Sequence, residues 1–193
     1  MKNRKYKTIK TLNGTLEVIA GCMFSGKSEE LIRRLRRAKI AKQKVVCFKP
    51  EMDDRYSKTE IVSHSANRII SKPVSSSKEI YQQSRLADVV GIDEVQFFDE
   101  GVVEVCDRLA YEGKRVIAAG LDLDYRGKPF GPMPNLLAVA DYVTKLQAVC
   151  TISGLPATRS QRLKQSNELV LLGHTNAYEA RHRAYFEAPE ETE

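Results

Sequence analysis

One glycine-rich stretch, Gly21-Cys22-Met23-Phe24-Ser25-Gly26-Lys27-Ser28, constrains the fold of this chain more than any other part of it. It fits the pattern of glycine, four spacers and then Gly-Lys-Ser that cradles the phosphates of a nucleoside triphosphate. The two glycines let the backbone turn tightly, so that successive N–H groups point at phosphate oxygens beside a helix N-terminus. Lys27 supplies a point charge and Ser28 a hydroxyl ligand for Mg²⁺. The motif predicts a nucleotide site.

The residues on either side of the motif decide whether the match is meaningful. Thr15 to Ala20, which precede it, are β-rich, and Glu29 to Leu35, which follow it, have a helical pattern. A strand, a glycine turn and a helix in that order form the context that the motif requires. We therefore expect a phosphate-binding loop.

Strands and helices alternate along most of the remaining chain. Further strands are predicted at Lys44–Lys49, Ala87–Ile92, Lys114–Gly120 and Tyr142–Val149, and helices at Ser75–Leu86 and Asp99–Tyr111. This alternation predicts an α/β, P-loop (RecA-like) fold with a mostly parallel sheet flanked by helices. Ligands of such sheets bind outside the carboxyl ends of the strands, where Ser28, Asp93 and Leu121 fall.

The alternation stops at Cys150, where short β-like runs among polar residues indicate a small lobe. The predicted organisation is a basic arm over residues 1–14, a nucleotide-binding domain over 15–149, a small lobe over 150–186 and an acidic tail over 187–193.

The formal net charge of +6 raises the possibility of a nucleic-acid partner. Two basic clusters account for much of this charge: one is the N-terminal arm, and the other is on the helix after the phosphate loop, where Leu31, Ile32, Leu35 and Ala38 recur at core spacing. We favour a solvated or subunit-facing role for the basic side of that helix, and expect no nucleic-acid partner.

The chain has no apolar run long enough to span a bilayer and no secretory signal, which predicts a cytoplasmic protein with no membrane partner. Cys22, Cys47, Cys106 and Cys150 are widely scattered, which suits reduced thiols.

Two acidic residues, Asp93 and Glu94, follow an apolar strand. Asp93 is placed to handle Mg²⁺, directly or through water. A kinase that acts on an alcohol needs a carboxylate to take the proton of the attacking hydroxyl, and Glu94 would lie beside the γ-phosphate. The alternative is a pair of solvated loop carboxylates, but the upstream phosphate loop favours the catalytic interpretation.

Six blocks of residues occur in an order that resembles the type II thymidine kinases. They are Met23 to Ser28, Asp53-Asp54-Arg55-Tyr56, Ile92 to Phe98, Gly120-Leu121-Asp122, Lys128-Pro129-Phe130-Gly131 and Lys145 to Cys150, with a weaker match at Tyr178 to Arg181. Any one block would be unspecific, whereas the ordered set is highly specific.

The resemblance implies that ATP phosphorylates the 5′-hydroxyl of thymidine in a Mg²⁺-dependent reaction, with deoxyuridine as a further substrate. It implies that Glu94 is the general base, and that the nucleotide is bound by residues 21–28 together with Asp93, Glu94, Val95 and Gln96. It also implies a homotetramer. The matching pocket positions around thymine or its sugar are Met23, Phe97, Leu121 and Tyr125, with Thr158 as a further candidate. The loop that closes over the base matches Leu169, Val170, Leu171, Leu172 and Gly173, with Tyr178. Arg55 and Arg126 would either stabilise the negative charge of the phosphates or be solvated loop residues.

One departure from the family concerns a structural zinc site built from two Cys-x-x-Cys pairs. Here the corresponding runs are Cys150-Thr151-Ile152-Ser153 and His182-Arg183-Ala184-Tyr185, so only Cys150 and His182 remain as ordinary zinc ligands. A closed structural site needs four. We therefore predict that structural zinc is absent and that packing around Ile152 and Tyr185 closes the lobe.

Two other classes of function remain as alternatives. The basic charge and the Asp-Glu pair would suit a nucleic-acid-stimulated P-loop ATPase, although such motors usually have longer chains and further nucleotide-sensing motifs. A nucleotide-sensing module without catalysis is the other. A GTPase is disfavoured because the chain has no Asn-Lys-x-Asp motif.

Overall fold

The computed structural model describes residues 14–52, 60–62, 68–163 and 177–189. The N-terminal arm, the end of the acidic tail, the block Asp53 to Tyr56 and the predicted base-closing residues Leu169 to Gly173 lie outside the described residues.

The architecture is α/β, as the sequence predicts. The strands are β1 (Thr15–Gly21), β2 (Val45–Pro50), β3 (Glu60–Val62), β4 (Arg68–Ile70), β5 (Lys72–Val74), β6 (Val89–Ile92), β7 (Arg115–Gly120), β8 (Tyr142–Leu146), β9 (Ala148–Val149), β10 (Pro156–Ala157), β11 (Arg159–Arg162) and β12 (Tyr178–Arg181). The helices are α1 (Lys27–Ile40), α2 (Ser77–Gln83), α3 (Gly101–Tyr111) and α4 (Met133–Val139). Single 3-10 turns span Val95–Phe97 and Arg183–Tyr185.

Six strands form the central sheet in the order β5-β2-β6-β7-β1-β8, and every neighbouring pair is parallel. The prediction of a mostly parallel sheet is confirmed. Because all six strands run the same way, their carboxyl ends meet at one edge of the sheet, which brings the ends of β1, β6 and β7 together.

Apolar side chains fill the space on both faces of this sheet. On one face the core includes residues of α2, α3 and α4, and on the other it includes residues of α1 and of the β3–β4 hairpin. Leu31, Ile32, Leu35 and Ala38 of α1 are buried, which confirms the helical spacing predicted for them. Most basic residues of α1 are exposed, but Arg34 is partly buried and donates to Glu17 on β1 at 2.7 Å.

The predicted strand Tyr142–Val149 is wrong as a single element. β8 pairs with β1 as far as Gly21 and Leu146, where β1 ends and the phosphate loop begins. Because its partner strand ends there, the chain leaves the central sheet and starts the small hairpin of β9 and β10.

The predicted helix Ser75–Leu86 is shorter in the structure, and its start is capped from elsewhere. Asp99 accepts hydrogen bonds from the Ser77 amide at 2.8 Å and from the Ser77 hydroxyl at 2.6 Å. Asp99 was expected to lie inside the next helix, but that helix begins at Gly101.

Two antiparallel hairpins, β9–β10 and β11–β12, follow the central sheet, and the first begins at Ala148, before the predicted start of the small lobe at Cys150. Ala148, Cys150, Ala157 and Ala180 pack in one buried cluster with Cys22 of the phosphate loop. All four cysteines of the chain are free, as predicted, and all four are also buried. No helix in the described part of the chain is long and apolar enough to cross a membrane.

Candidate functional site

The phosphate loop has the backbone shape that its sequence predicts. Gly21 has a φ of 151°, and a Cβ atom there would lie 2.5 Å from the carbonyl oxygen of Leu146. Gly26, immediately before α1, has a φ of 85°. Within the described residues no side chain caps this helix start, so its first amides remain available to an anion.

Lys27 is partly buried and lies among acidic groups. Its ammonium donates to the carbonyl oxygen of Cys22 at 2.8 Å, inside its own loop. Burial lowers the pKa of Lys27, while the charges of Glu94, Asp93 and Asp122 act in the opposite direction. The ends of β6 and β7 therefore place three carboxylates around the Lys27 ammonium.

Asp93 and Glu94 occupy the end of β6. The Asp93 amide donates to the carbonyl oxygen of Phe48 at 2.9 Å, and its side chain is buried. Glu94 has φ 49° and ψ 41°, in the left-handed region that non-glycine residues rarely adopt. This conformation turns the chain sharply after the strand and directs the Glu94 side chain differently from that of Asp93.

Gln96 fixes the Glu94 carboxylate. The Gln96 amide group donates to Glu94 Oε2 at 2.6 Å and accepts from the Leu121 amide at 3.0 Å. One buried carboxamide thus connects the predicted base to Leu121, a predicted pocket residue directly after the neighbouring strand β7. Val95 is fully buried in the core, so it could reach a nucleotide only through its main chain.

Asp122 is a site residue that sequence analysis missed, although it lies in one of the matching blocks. It is buried, and within the described residues neither of its oxygens accepts a hydrogen bond. Lys145 Nζ lies 2.7 Å from Asp122 Oδ2 and forms an ion pair with it. Because β1 lies between β7 and β8, this pair spans the root of the phosphate loop.

The residues present fit a magnesium ion. Mg²⁺ takes oxygen ligands and binds through one or two carboxylates together with substrate phosphates. Ser28 offers a hydroxyl at the start of α1, and Asp93 offers a buried carboxylate at the end of β6. The poorly satisfied Asp122 carboxylate adds negative charge that a bound cation would balance.

The structure brings several predicted pocket residues together beside the phosphate loop. Tyr125, Ala177 and Tyr178 form one buried cluster, against which Met23 and Phe24 pack. Phe97 is half-buried and meets the ring of Phe130 edge to face, with centroids 5.5 Å apart.

Two residues of β11 that the sequence did not single out also reach this region. Ser160 Oγ accepts from the Met23 amide at 3.0 Å, and Arg162 contacts both tyrosines. Thr158 instead lines a depression with Gln147 and His182, so its place in the pocket stays a prediction. Arg126 donates to the Tyr125 hydroxyl at 3.0 Å, where it contacts a predicted pocket residue.

The residues that match the zinc-ligand positions make other contacts. Ile152 and Tyr185 are both exposed, so the prediction that packing around them closes the lobe is wrong. His182 Nδ1 accepts from the Ala184 amide at 3.2 Å, and the His182 ring approaches that of Tyr185. Burial raises the pKa of the Cys150 thiol, but hydrogen bonds from Ser153 and from nearby backbone amides outweigh it and lower the pKa to about 7. Across the described residues, no group of three or more His, Cys, Asp or Glu could hold a metal ion. These residues do not fit a closed zinc site.

Comparison with known proteins gives two findings. A family model described as "Thymidine kinase" matches residues 14–186. The thymidine kinase of Rhodothermus sp. (strain ITI 518) is 56% identical over 179 residues, which cover 93% of this chain and 84% of that protein.

Proposed function

Because this chain belongs to the thymidine kinase family, and is an ATP-dependent nucleoside kinase, we propose that its site transfers the γ-phosphate of ATP to the 5′-hydroxyl of thymidine. The products are thymidine monophosphate and ADP. The observation that carries the assignment of roles is the position of Glu94, which Gln96 holds at the sheet edge where the Lys27 ammonium lies.

In this mechanism Glu94 accepts the proton of the 5′-hydroxyl as that oxygen attacks the γ-phosphorus. Its hydrogen bond from Gln96 fixes the carboxylate in place before the nucleoside arrives. Lys27 exchanges the carbonyl of Cys22 for phosphate oxygens, and the uncapped amides at the start of α1 bind the same anion. Both interactions stabilise the negative charge that is shared among the phosphate oxygens during transfer.

Ser28 and Asp93 would hold Mg²⁺, which, when bound, neutralises charge between the β- and γ-phosphates. Asp93 is suited to this task because the sheet holds its main chain, through the bond from its amide to Phe48. Its carboxylate therefore needs little reorganisation on binding.

Met23, Phe97, Leu121, Tyr125 and Tyr178 form the nucleoside side of the site in this proposal, and Leu169 to Gly173 close over the base. A flat pyrimidine with an apolar methyl group suits aromatic walls. Deoxyuridine differs from thymidine only by that methyl group, so we expect it to be accepted with lower efficiency, since one buried methyl contributes about 1 kcal/mol.

The protein is further proposed to be a cytoplasmic homotetramer without a nucleic-acid partner. The side chains of Tyr142 and Val143, on opposite faces of the edge strand β8, support assembly, since both are apolar and exposed in one chain.

Structural zinc is proposed to be absent. The support is the set of contacts that His182 and Cys150 make within the lobe in place of a metal. Metal analysis of the purified protein should find far less than one zinc per chain, and a chelator should leave the melting temperature unchanged. One zinc per chain would contradict the proposal.

The function is tested with protein, Mg²⁺ and γ-labelled ATP, mixed either with thymidine or with single-stranded DNA. We expect label to appear on thymidine and hydrolysis to be unaffected by DNA. DNA-stimulated hydrolysis without labelled thymidine would indicate an ATPase motor, and absence of turnover in both mixtures would indicate a nucleotide sensor.

A further inference from the structure

One arginine, Arg162, contacts both tyrosines of the cluster beside the phosphate loop. It lies on β11 directly opposite Tyr178 on β12. Its Nε and Nη2 donate to the Tyr178 hydroxyl oxygen at 3.1 and 2.7 Å. Its guanidinium carbon also lies 3.4 Å from the centroid of the Tyr125 ring. A single side chain therefore holds two rings that are far apart in the sequence.

These contacts are strong for their kind because they are shielded from water. The two tyrosines are each only 7% exposed. A guanidinium over an aromatic ring is attracted by the electrons of the ring face, and more so when water is excluded. A planar fork can stack on Tyr125 and donate to Tyr178 at the same time, whereas a lysine ammonium cannot do both.

The Tyr125 ring is held from a second direction as well. Arg126 donates to the Tyr125 hydroxyl at 3.0 Å, so the face of the ring is fixed by Arg162 and its oxygen by Arg126. Met23 and Phe24 of the phosphate loop pack against the same cluster. The orientation of these rings is therefore set before any substrate binds.

We propose that Arg162 is a positioning residue for the nucleoside, which holds Tyr125 and Tyr178 in the orientation that receives the pyrimidine or its sugar. This inference rests on the proposed function, since it takes the two tyrosines as walls of the nucleoside pocket. Rings that are already ordered need not lose freedom when the nucleoside binds, so affinity for the nucleoside depends on Arg162. Binding of ATP, on the phosphate-loop side, does not.

The test is steady-state kinetics of Arg162→Met, which keeps the length of the side chain and removes its charge and fork. We expect the KM for thymidine to rise about 10- to 100-fold, as for loss of a charge-assisted hydrogen bond with its stacking contact. The KM for ATP should change less than about twofold. Arg162→Lys should give an intermediate KM for thymidine, because it restores the charge without the planar fork.

Arg181→Met is the matched control. Arg181 belongs to β12 of the same hairpin, and it pairs with Glu179 and the Tyr185 carbonyl instead of the tyrosine cluster. This variant loses the same charge from the same lobe, so its KM for thymidine should equal that of the wild type.

Tyr178→Phe separates positioning from a general loss of structure. If Arg162 acts through the Tyr178 hydroxyl, the double variant should lose less affinity than the product of the two single losses. If the two single losses of affinity simply multiply in the double variant, the role of Arg162 is overturned. It is also overturned if the KM of Arg162→Met rises equally for both substrates. An unchanged KM for thymidine in Arg162→Met, beside an active wild type, would also overturn it. A wild-type enzyme that never phosphorylates thymidine would instead overturn the proposed function.

Discussion

At the scale of single residues, the site depends on a few side chains held in unfavourable positions. Glu94 has a left-handed backbone conformation, which for a non-glycine residue is disfavoured by roughly 1–3 kcal/mol. Lys27 is partly buried, and this burial disfavours its charged form. Both residues are retained at the edge of the sheet where the phosphate loop lies. We interpret this as strain that positions a base and a cation for the same phosphoryl group.

The lowered pKa of Lys27 leads to a prediction about alkaline pH. In the free enzyme its ammonium should lose a proton below the ordinary lysine pKa of 10.5. Since the neutral amine binds phosphate poorly, kcat/KM for ATP should fall at high pH, through a pKa below that value. The pH profile of kcat/KM measures this directly.

Two variants give the controls for this pH profile. Lys27→Arg, which stays protonated, should lose the alkaline limb in whatever activity remains, whereas Lys39→Met, an exposed site on the same helix, should keep it. A wild-type profile that is flat to pH 10.5 would contradict the assignment.

At the scale of elements, some ends of strands and helices depend on contacts with distant parts of the chain, which local sequence patterns do not predict. The sequence predicts the phosphate loop, the parallel strands and the buried face of α1, because these follow from short-range motifs and periodicity. It misses the end of β8 at Leu146, since that end is determined by where its partner β1 stops. It also does not predict the cap of α2, because the capping side chain comes from the loop before α3.

Asp99 provides the test at this scale. Asp99→Ala should lower the free energy of unfolding by about 1 kcal/mol, because the cap of α2 is lost. Urea titration measures the change, and Asp107→Ala, a partly exposed site on α3, serves as the control.

The effect of the Asp99 substitution should depend on pH. Burial raises the pKa of Asp99, but hydrogen bonds from Ser77 outweigh it, so the pKa is lowered from 3.8. The stabilisation is therefore present above pH 3.8 and should disappear as the pH falls below it. Equal stability of the variant and the wild type at neutral pH would show that Asp99 does not cap the helix.

At the scale of the whole molecule, four parts of the chain meet at the carboxyl edge of the sheet to form the candidate site. They are the phosphate loop, the end of β6, the end of β7 and the β11–β12 hairpin. The sequence identifies Lys27, Asp93 and Glu94 because each follows a recognisable strand or motif. It does not identify Asp122, Ser160 or Arg162, whose roles depend on the packing of the small lobe and of β8 against the loop. The substrate is assigned from the resemblance to a family, whereas the contacts in the structure show how the site residues are held in place.

Assembly is the further prediction at this scale. Light scattering should give a mass near four times the 21.8 kDa of one chain. Val143→Glu places a charge at an exposed apolar position of β8 and should lower the mass, while Glu104→Gln on the exposed side of α3 should not. A wild-type mass of one chain at micromolar concentration would contradict the homotetramer.

The most direct test of the central claim is the single-turnover rate of phosphoryl transfer to thymidine by Glu94→Gln. This variant keeps the shape of the side chain and removes the base. We predict that the rate falls by roughly two to four orders of magnitude while the affinity for ATP stays near that of the wild type. A Glu94→Gln enzyme that transfers phosphate at the wild-type rate would remove Glu94 from the mechanism and contradict the account.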